Sequence, residues 1–203
     1  MKSHILILLA LLAASCTNNK KSYTDEIKMF QYKLNTEFSN KEESPLTEKD
    51  FNSFKSLEFF TIDKNYRVKA TITLTPKSPI FEMQTTTDRL PLYKKYGIAK
   101  FELNGEKLEL SIFQNQDLKL NFEYKNYLFI PFNDATNGKL SYSGGRYIDL
   151  EIPQKKDNNT IIIDFNKSYN PYCAYNNKFS CPVPPSENIL PIEINAGIKL
   201  FKH

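Results

Sequence analysis

Three arginines stand among 27 basic residues, Arg67, Arg89 and Arg146; every other cation is lysine. In such a chain an arginine marks a place where a planar, two-pronged donor can be required. Arg146 opens the stretch RYIDLEI. Side chains alternate along an extended strand, so Arg146 shares a face with Ile148, Leu150 and Ile152, while Tyr147, Asp149 and Glu151 point the other way. A guanidinium in core phase must meet a carboxylate or sit at the mouth of a pocket, because an unpaired buried charge is too costly. Three carboxylates are candidates: Asp134 in PFNDATNG, Asp164 in IIIDFN and Glu187 in SEN.

The last two bracket an unusual segment, DFNKSYNPYCAYNNKFSCPVPPSEN, from Asp164 to Asn188. Its Asn, Tyr, Cys and Glu residues sit among prolines that cannot continue a sheet. Three chemistries follow. Arg146 with Tyr142, Asn166, Tyr169, Asn170 and Asn188 could hold a small polar or anionic ligand such as a carboxylate or a sugar. Asp134, Asp164 and Glu187 could serve as the acid and base of a hydrolase. Or the polar groups satisfy the amides of a compact loop and do no chemistry. Binding is favoured over catalysis.

Much else is excluded. The only histidines are His4 and the terminal His203. The body therefore has no interior imidazole for Ser-His-Asp or Cys-His catalysis or for a His-based metal site. No Gly-rich phosphate loop is present, so no cofactor is expected. A net charge of +4 without a basic stripe argues against nucleic acid.

Cys173 and Cys181 are expected to form a disulfide, since the chain opens with an export signal. MKSHILILLALLAASC has a basic start, an apolar run too short to span a bilayer, and small residues before Cys16. This resembles a bacterial lipobox. The expectation is a signal peptide over 1–15, lipidation at Cys16, a tether over 16–23 and one domain over 24–203. The chain would then be membrane-anchored in the cell envelope, and the TNNKK after Cys16 favours a periplasm-facing position.

Which elements would position these residues? Ile27, Phe30, Leu34 and Phe38 recur at helical spacing, predicting an amphipathic helix over 22–39. Thr47 and Asp50 have capping-box spacing for a second, short helix with Phe51 and Phe54 on its apolar face. Then the period becomes two. Strands are predicted at YRVKATITLT, IAKFEL, KLELSIF, LKLNFEY, YLFIPF, RYIDLEI, TIIIDFN and LPIEINAGIKL. Asn104-Gly105 makes a two-residue turn that sets Phe101 opposite Leu108 and Ala99 opposite Leu110. TIIIDFN, apolar on both faces, reads as a central strand. The expected architecture is mainly β: an antiparallel sandwich or small barrel with one or two N-terminal α-helices.

The segments DRLPLYKKYGIAKFELNG, LFIPFNDATNGKLSYSGGRYIDLEI and IIIDFNKSYNPYCAYNNKFSCPVPPSENILPIEINAGIKLF resemble domain-of-unknown-function family 1684. These are bacterial proteins, many of them Bacteroidetes lipoproteins. The likeness runs from about Ile27 to Phe201. It implies a mainly β domain and no established reaction. Its motif positions fall on Asp134, Thr136, Tyr142, Arg146, Asp164, Asn166, Tyr169, Asn170, Cys173, Cys181, Glu187 and Asn188. Ile198 stands where the family often has an acidic residue.

Overall fold

The computed structural model describes residues 22–154 and 159–202. Helix α1 (Tyr23–Ser39) begins at a reciprocal cap: the Ser22 hydroxyl accepts from the Asp25 amide, and the Asp25 carboxylate accepts from the Ser22 amide. α2 (Glu48–Ser53) starts at Thr47, whose hydroxyl accepts from the Asp50 amide at 3.2 Å. Thereafter the described residues form seven strands: β1 (Arg67–Leu74), β2 (Ile80–Glu82), β3 (Leu92–Leu103), β4 (Glu106–Asn115), β5 (Tyr127–Phe132), β6 (Arg146–Glu151) and β7 (Thr160–Asp164).

They form one antiparallel sheet in the order β6-β5-β4-β3-β1-β7, with β2 added beside β3. The sheet curls into a half-barrel, the barrel-like alternative of the expected β architecture. Its concave face carries Val68, Ala70, Ile72, Phe101, Leu110 and Ile130, and Leu190, Ile194 and Ala196 from the C-terminal segment close over it. The β3–β4 hairpin turns at Asn104-Gly105, both at positive φ, with Phe101 opposite Leu108 and Ala99 opposite Leu110 as expected.

The convex face is also covered. Tyr93, Phe113, Phe129 and Tyr147 pack there with Met83 and Cys181. Tyr93 and Phe101 share a parity on β3 yet lie on opposite faces. The register shift between Lys95 and Gly97 inserts one residue and inverts the phase. A third cluster joins Phe38 and Leu46 to Leu57, Tyr175 and Ile198, fixing α1 against the sheet's outer layer.

Three expected strands are different. LKLNFEY is two single helical turns, Leu118–Leu120 and Phe122–Tyr124, with Leu120 and Phe122 exposed. Asn115 ends β4 by accepting the amides of Asp117 and Leu118, each at 2.9 Å, which bends the chain away. β7 ends the sheet rather than occupying its centre, pairing with β1 and leaving Ile162 exposed. LPIEINAGIKL forms no strand, because its carbonyls have another partner.

Candidate functional site

That partner is Arg146. Its side chain is 0% exposed, so it cannot face a ligand from solvent. One terminal nitrogen donates to Asp134 Oδ2 at 2.7 Å and to the Ile194 carbonyl at 2.8 Å. The other donates to the carbonyls of Ala196 at 2.5 Å and Ile198 at 3.3 Å. Alternate carbonyls of an extended segment thus converge on one guanidinium in place of a neighbouring strand. Phe60 and Phe132 present rings 5.7 and 5.4 Å from its central carbon. Asp134 is saturated in turn: its Oδ1 accepts from the Thr136 amide and hydroxyl at 2.9 and 2.6 Å and from the Ile194 amide at 3.2 Å. Of the two readings of a core-phase arginine, the structure realises the buried ion pair.

The other candidates disperse. Asp164 caps the turn after β7, accepts from Tyr23 at 2.9 Å and lies 3.8 Å from Arg67. Glu187 pairs with Lys95 at 2.8 Å near the surface. Asp134, Asp164 and Glu187 therefore belong to three separate partners and do not assemble as a catalytic pair. Asn166, expected as a ligand contact, is buried and ties three segments together. Its amide nitrogen donates to Tyr23 and the Asp63 carbonyl at 2.8 Å each, and its oxygen accepts from the Asp63 amide at 3.0 Å. Tyr142 is half-buried and packs on the α1 cluster beside the cysteines.

Asn188 is likewise structural. It is 0% exposed and acts as a one-residue strand between β4 and β5: its oxygen accepts from the Ser111 amide at 2.7 Å, and its nitrogen donates to the Ser111 and Pro131 carbonyls at 2.9 and 2.8 Å. Removing these bonds strands three buried backbone groups. Asn188→Ala is expected to cost about 2 kcal/mol in urea unfolding, and Asn188→Asp nearly as much because a carboxylate cannot donate.

Only Tyr169 and Asn170 of the expected ligand residues reach an open cavity, and it lies on the opposite face of β6. This cleft of about 420 Å³ has the convex face of the sheet as its floor, with Tyr93, Tyr127, Phe129, Tyr147 and Asp149. α1 contributes Phe30, Leu34, Glu37 and Phe38 along one wall, and the 169–182 loop forms the other. The loop is held by reciprocal amide–carbonyl bonds between Tyr147 and Tyr169 at 2.9 and 3.1 Å. The Tyr147 hydroxyl adds a short bond to the Pro182 carbonyl. Edge-to-face rings continue across the floor, Phe129 to Tyr147 at 4.7 Å and Tyr147 to Tyr169 at 5.9 Å.

Asp149 sits in this aromatic floor. The hydroxyls of Tyr127 and Tyr169 donate to its Oδ1 at 2.7 and 2.6 Å. No bond to Oδ2 occurs among the described residues. Loss of water raises the Asp149 carboxyl above its ordinary value, and the two tyrosine bonds partly offset the rise. Solvent still enters by the mouth of the cleft and screens the charge, so the rise is smaller than full burial would cause. On the loop side of the cleft, buried Asn170 donates to the Lys199 carbonyl at 3.0 Å and to the Tyr175 hydroxyl at 3.3 Å, which fixes its amide orientation. Its Oδ1 is left without a partner. Strand alternation places Asp149 on the phase of β6 opposite Arg146, and it does not show what covers that phase. The tyrosines of the 164–188 segment were the signal that a second layer covers it.

Residues 52–199 match the model of a family described as a protein of unknown function, DUF1684. The chain belongs to this family. The solution structure of an uncharacterized protein of Haloarcula marismortui is similar, at 34% identity and a TM-score of 0.68, over 87% of this chain and 94% of that one. No curated protein matches. In this DUF1684 chain α1, with Phe30, Leu34 and Glu37, precedes the matched segment, so one cleft wall lies outside the part that defines the family.

Cys173 and Cys181 of this DUF1684 domain stand in the structure as thiols without a bond between them. They are adjacent: the Cys173 amide donates to Cys181 Sγ at 3.2 Å. A hydrogen bond from the Cys181 thiol favours the Cys173 thiolate and lowers Cys173 to about 7, while Cys181 is raised by the same bond and by burial. Tyr142, beside them, is pushed up to about 12, chiefly by burial. On the reduced protein, iodoacetamide is expected to label Cys173 first, with a rate midpoint near that value of about 7, and Cys173→Ser should bring Cys181 down toward ordinary thiol labelling by removing the bond that raises it. Peptide mass spectrometry with time reads both; equal rates at the two cysteines would contradict the arrangement.

Proposed function

We propose that the domain is a small-molecule binding module whose seat is the cleft between the convex face of the sheet, α1 and the 169–182 loop. The carrying observation is the combination of an aromatic-walled space of about 420 Å³ with one carboxylate whose second oxygen faces no protein donor among the described residues. Ligand pockets have this character, a mostly apolar lining with few convergent polar groups. Arg146 acts in this reading as a pin for the fold, beneath the site and not in it. The carboxylate-hydrolase reading lacks support, since the cleft's other carboxylate, Glu37, is held by the Tyr172 hydroxyl.

We further propose that the module is carried on a membrane by lipid at Cys16, which lies outside the described residues. Mass spectrometry of the mature N-terminus should find diacylglycerol on that thiol, and an unmodified chain starting elsewhere would remove the anchor. In an oxidising envelope the adjacent thiols beside the cleft would close to a disulfide, detectable by non-reducing peptide mapping.

The test of the binding reading is a fragment titration followed by tyrosine side-chain NMR. Aromatic fragments should shift Tyr127, Tyr147 and Tyr169 together, and Leu34→Trp, which fills the cleft from α1, should abolish the shifts while the melting temperature stays within a few degrees. Shifts scattered over the surface, or unchanged by Leu34→Trp, would refute it.

A further inference from the structure

The lining of the cleft has a one-sided charge. Asp149 and Glu37 are its only carboxylates among the described residues, and no Lys or Arg lines it; the cation at its rim, Arg89, is engaged by the Ser180 hydroxyl and carbonyl at 3.1 and 3.0 Å. A net positive chain would more readily place a lysine than a carboxylate at random. Around Asp149 stand the rings of Tyr93, Tyr127, Phe129 and Tyr147, and ring faces attract cations while offering nothing to anions. The cleft's open acceptor is Asp149 Oδ2, which has no protein donor among the described residues, whereas Asn170 Oδ1, also without one, is closed off from solvent. Asp149 calls for a ligand that donates hydrogen bonds.

Resting on the cleft as the binding seat, we propose that the ligand class is a protonated primary or secondary amine on an apolar, ring-sized body. Its ammonium group sits against Asp149 Oδ2, and its body lies among the tyrosine rings. A carboxylate or phosphate ligand would meet two like charges and no donor side chain except tyrosine hydroxyls already engaged. A quaternary ammonium would satisfy the rings but leave Asp149 Oδ2 without a donor, and it is expected to bind more weakly than a primary amine.

The groups facing Asp149 set its pH behaviour. The titratable groups of the cleft are Tyr93 from β3, Tyr127 from β5, Tyr147 from β6, Tyr169, Tyr172, Tyr175 and Cys181 from the loop, and Glu37 from α1, with Arg89 at the rim on Ser180. Toward β7, a small groove bordering Asp149 holds Arg67 and Lys167, which are engaged by Asp164 and Glu26. Because Asp149 is raised in the folded state, its charge favours the amine only above that raised value. Affinity should therefore fall as the pH drops from neutrality toward the ordinary carboxylate value of 3.8. By the same linkage the neutral acid favours folding, an advantage present at low pH and lost as the pH rises through the folded value. Asp149→Asn should thus melt no lower than wild type at neutral pH, and so remains usable as a binding control.

The experiment is calorimetric titration of the full domain with three probes on the same three-carbon phenylpropyl frame: 3-phenylpropan-1-amine, 3-phenylpropan-1-ol and 3-phenylpropanoate. The amine is expected to bind at least tenfold more tightly than the alcohol, and the propanoate not measurably. Asp149→Asn should remove that tenfold preference and leave the alcohol unchanged. If the alcohol or propanoate binds as well as the amine, or if Asp149→Asn keeps the preference, the amine assignment is wrong while the cleft remains a binding seat. If no probe binds, both readings fall.

Discussion

Arg146→Met is expected to destabilise the domain by about 4 kcal/mol, the range in which one partner of a buried ion pair is lost. The substitution roughly keeps the volume but leaves Asp134, which has no exposed side-chain surface, as an unpaired carboxylate. It also frees the carbonyls of Ile194, Ala196 and Ile198 at one stroke. Arg146→Lys should lose less, about 2 kcal/mol, because an ammonium keeps the charge but cannot span Asp134 and three carbonyls with a planar fork. The double variant Arg146→Met with Asp134→Leu should recover part of the loss, since no charge is then stranded. Urea unfolding followed by circular dichroism reads all three at constant slope. A methionine variant that unfolds with wild type would show that the pin does not hold the fold.

Gly197→Ala should come next, at about 3 kcal/mol. Gly197 has φ of +77°, and a Cβ there would stand 2.0 Å from Ser168 Oγ and 2.6 Å from the Phe165 carbonyl oxygen. The serine can turn aside, but the backbone oxygen cannot. Gly105 separates strain from collision: its φ is +83°, but a Cβ there meets nothing within 4 Å. Gly105→Ala should therefore cost only the backbone term, about 1 kcal/mol. Equal costs at the two positions would mean that Gly197 is not pressed against the turn after β7.

These two sites also show where local pattern carries information about the fold. The β3–β4 register was legible because alternation and a two-residue turn are both local. So was the inward phase of Arg146, and Asp134 was among its three possible partners. The selection of Asp134 was not legible, because it depends on where residues 194–198 cross the sheet. The closing segment alternates like a strand, yet its carbonyls are spent on a side chain, something no alternation pattern distinguishes. β7 reads as central from its three isoleucines, but Ile162 is simply left at the sheet's end. LKLNFEY alternates as well, and what unmakes it is Asn115 turning the chain one step earlier.

The cleft was hidden for a different reason. Tyr147 and Asp149 follow the outward phase, and one sheet face is commonly wet. Here α1 and the proline-bearing loop cover it, so outward residues line an enclosed space. The Cys, Tyr and Asn residues that drew attention to that loop divide by role. Asn166 and Asn188 complete the backbone's hydrogen bonds, while Tyr169 and Asn170 border the cleft.

The anchoring of Arg146 by carbonyls 48 to 52 residues further along the chain has a consequence for synthesis and export. Chains emerge from their N-terminus at about 5–20 residues per second, and domains generally fold as units. β1 to β7 are all made before Ile194 appears, yet the guanidinium that must be buried with them lacks three of its acceptors until then. A ribosome-stalled or translocon-held chain ending at residue 190 should consequently remain protease-sensitive and open. For the membrane-anchored chain proposed above, passage in an unfolded state would be helped by a fold that resists premature closure, its latch shutting only when the final segment is delivered.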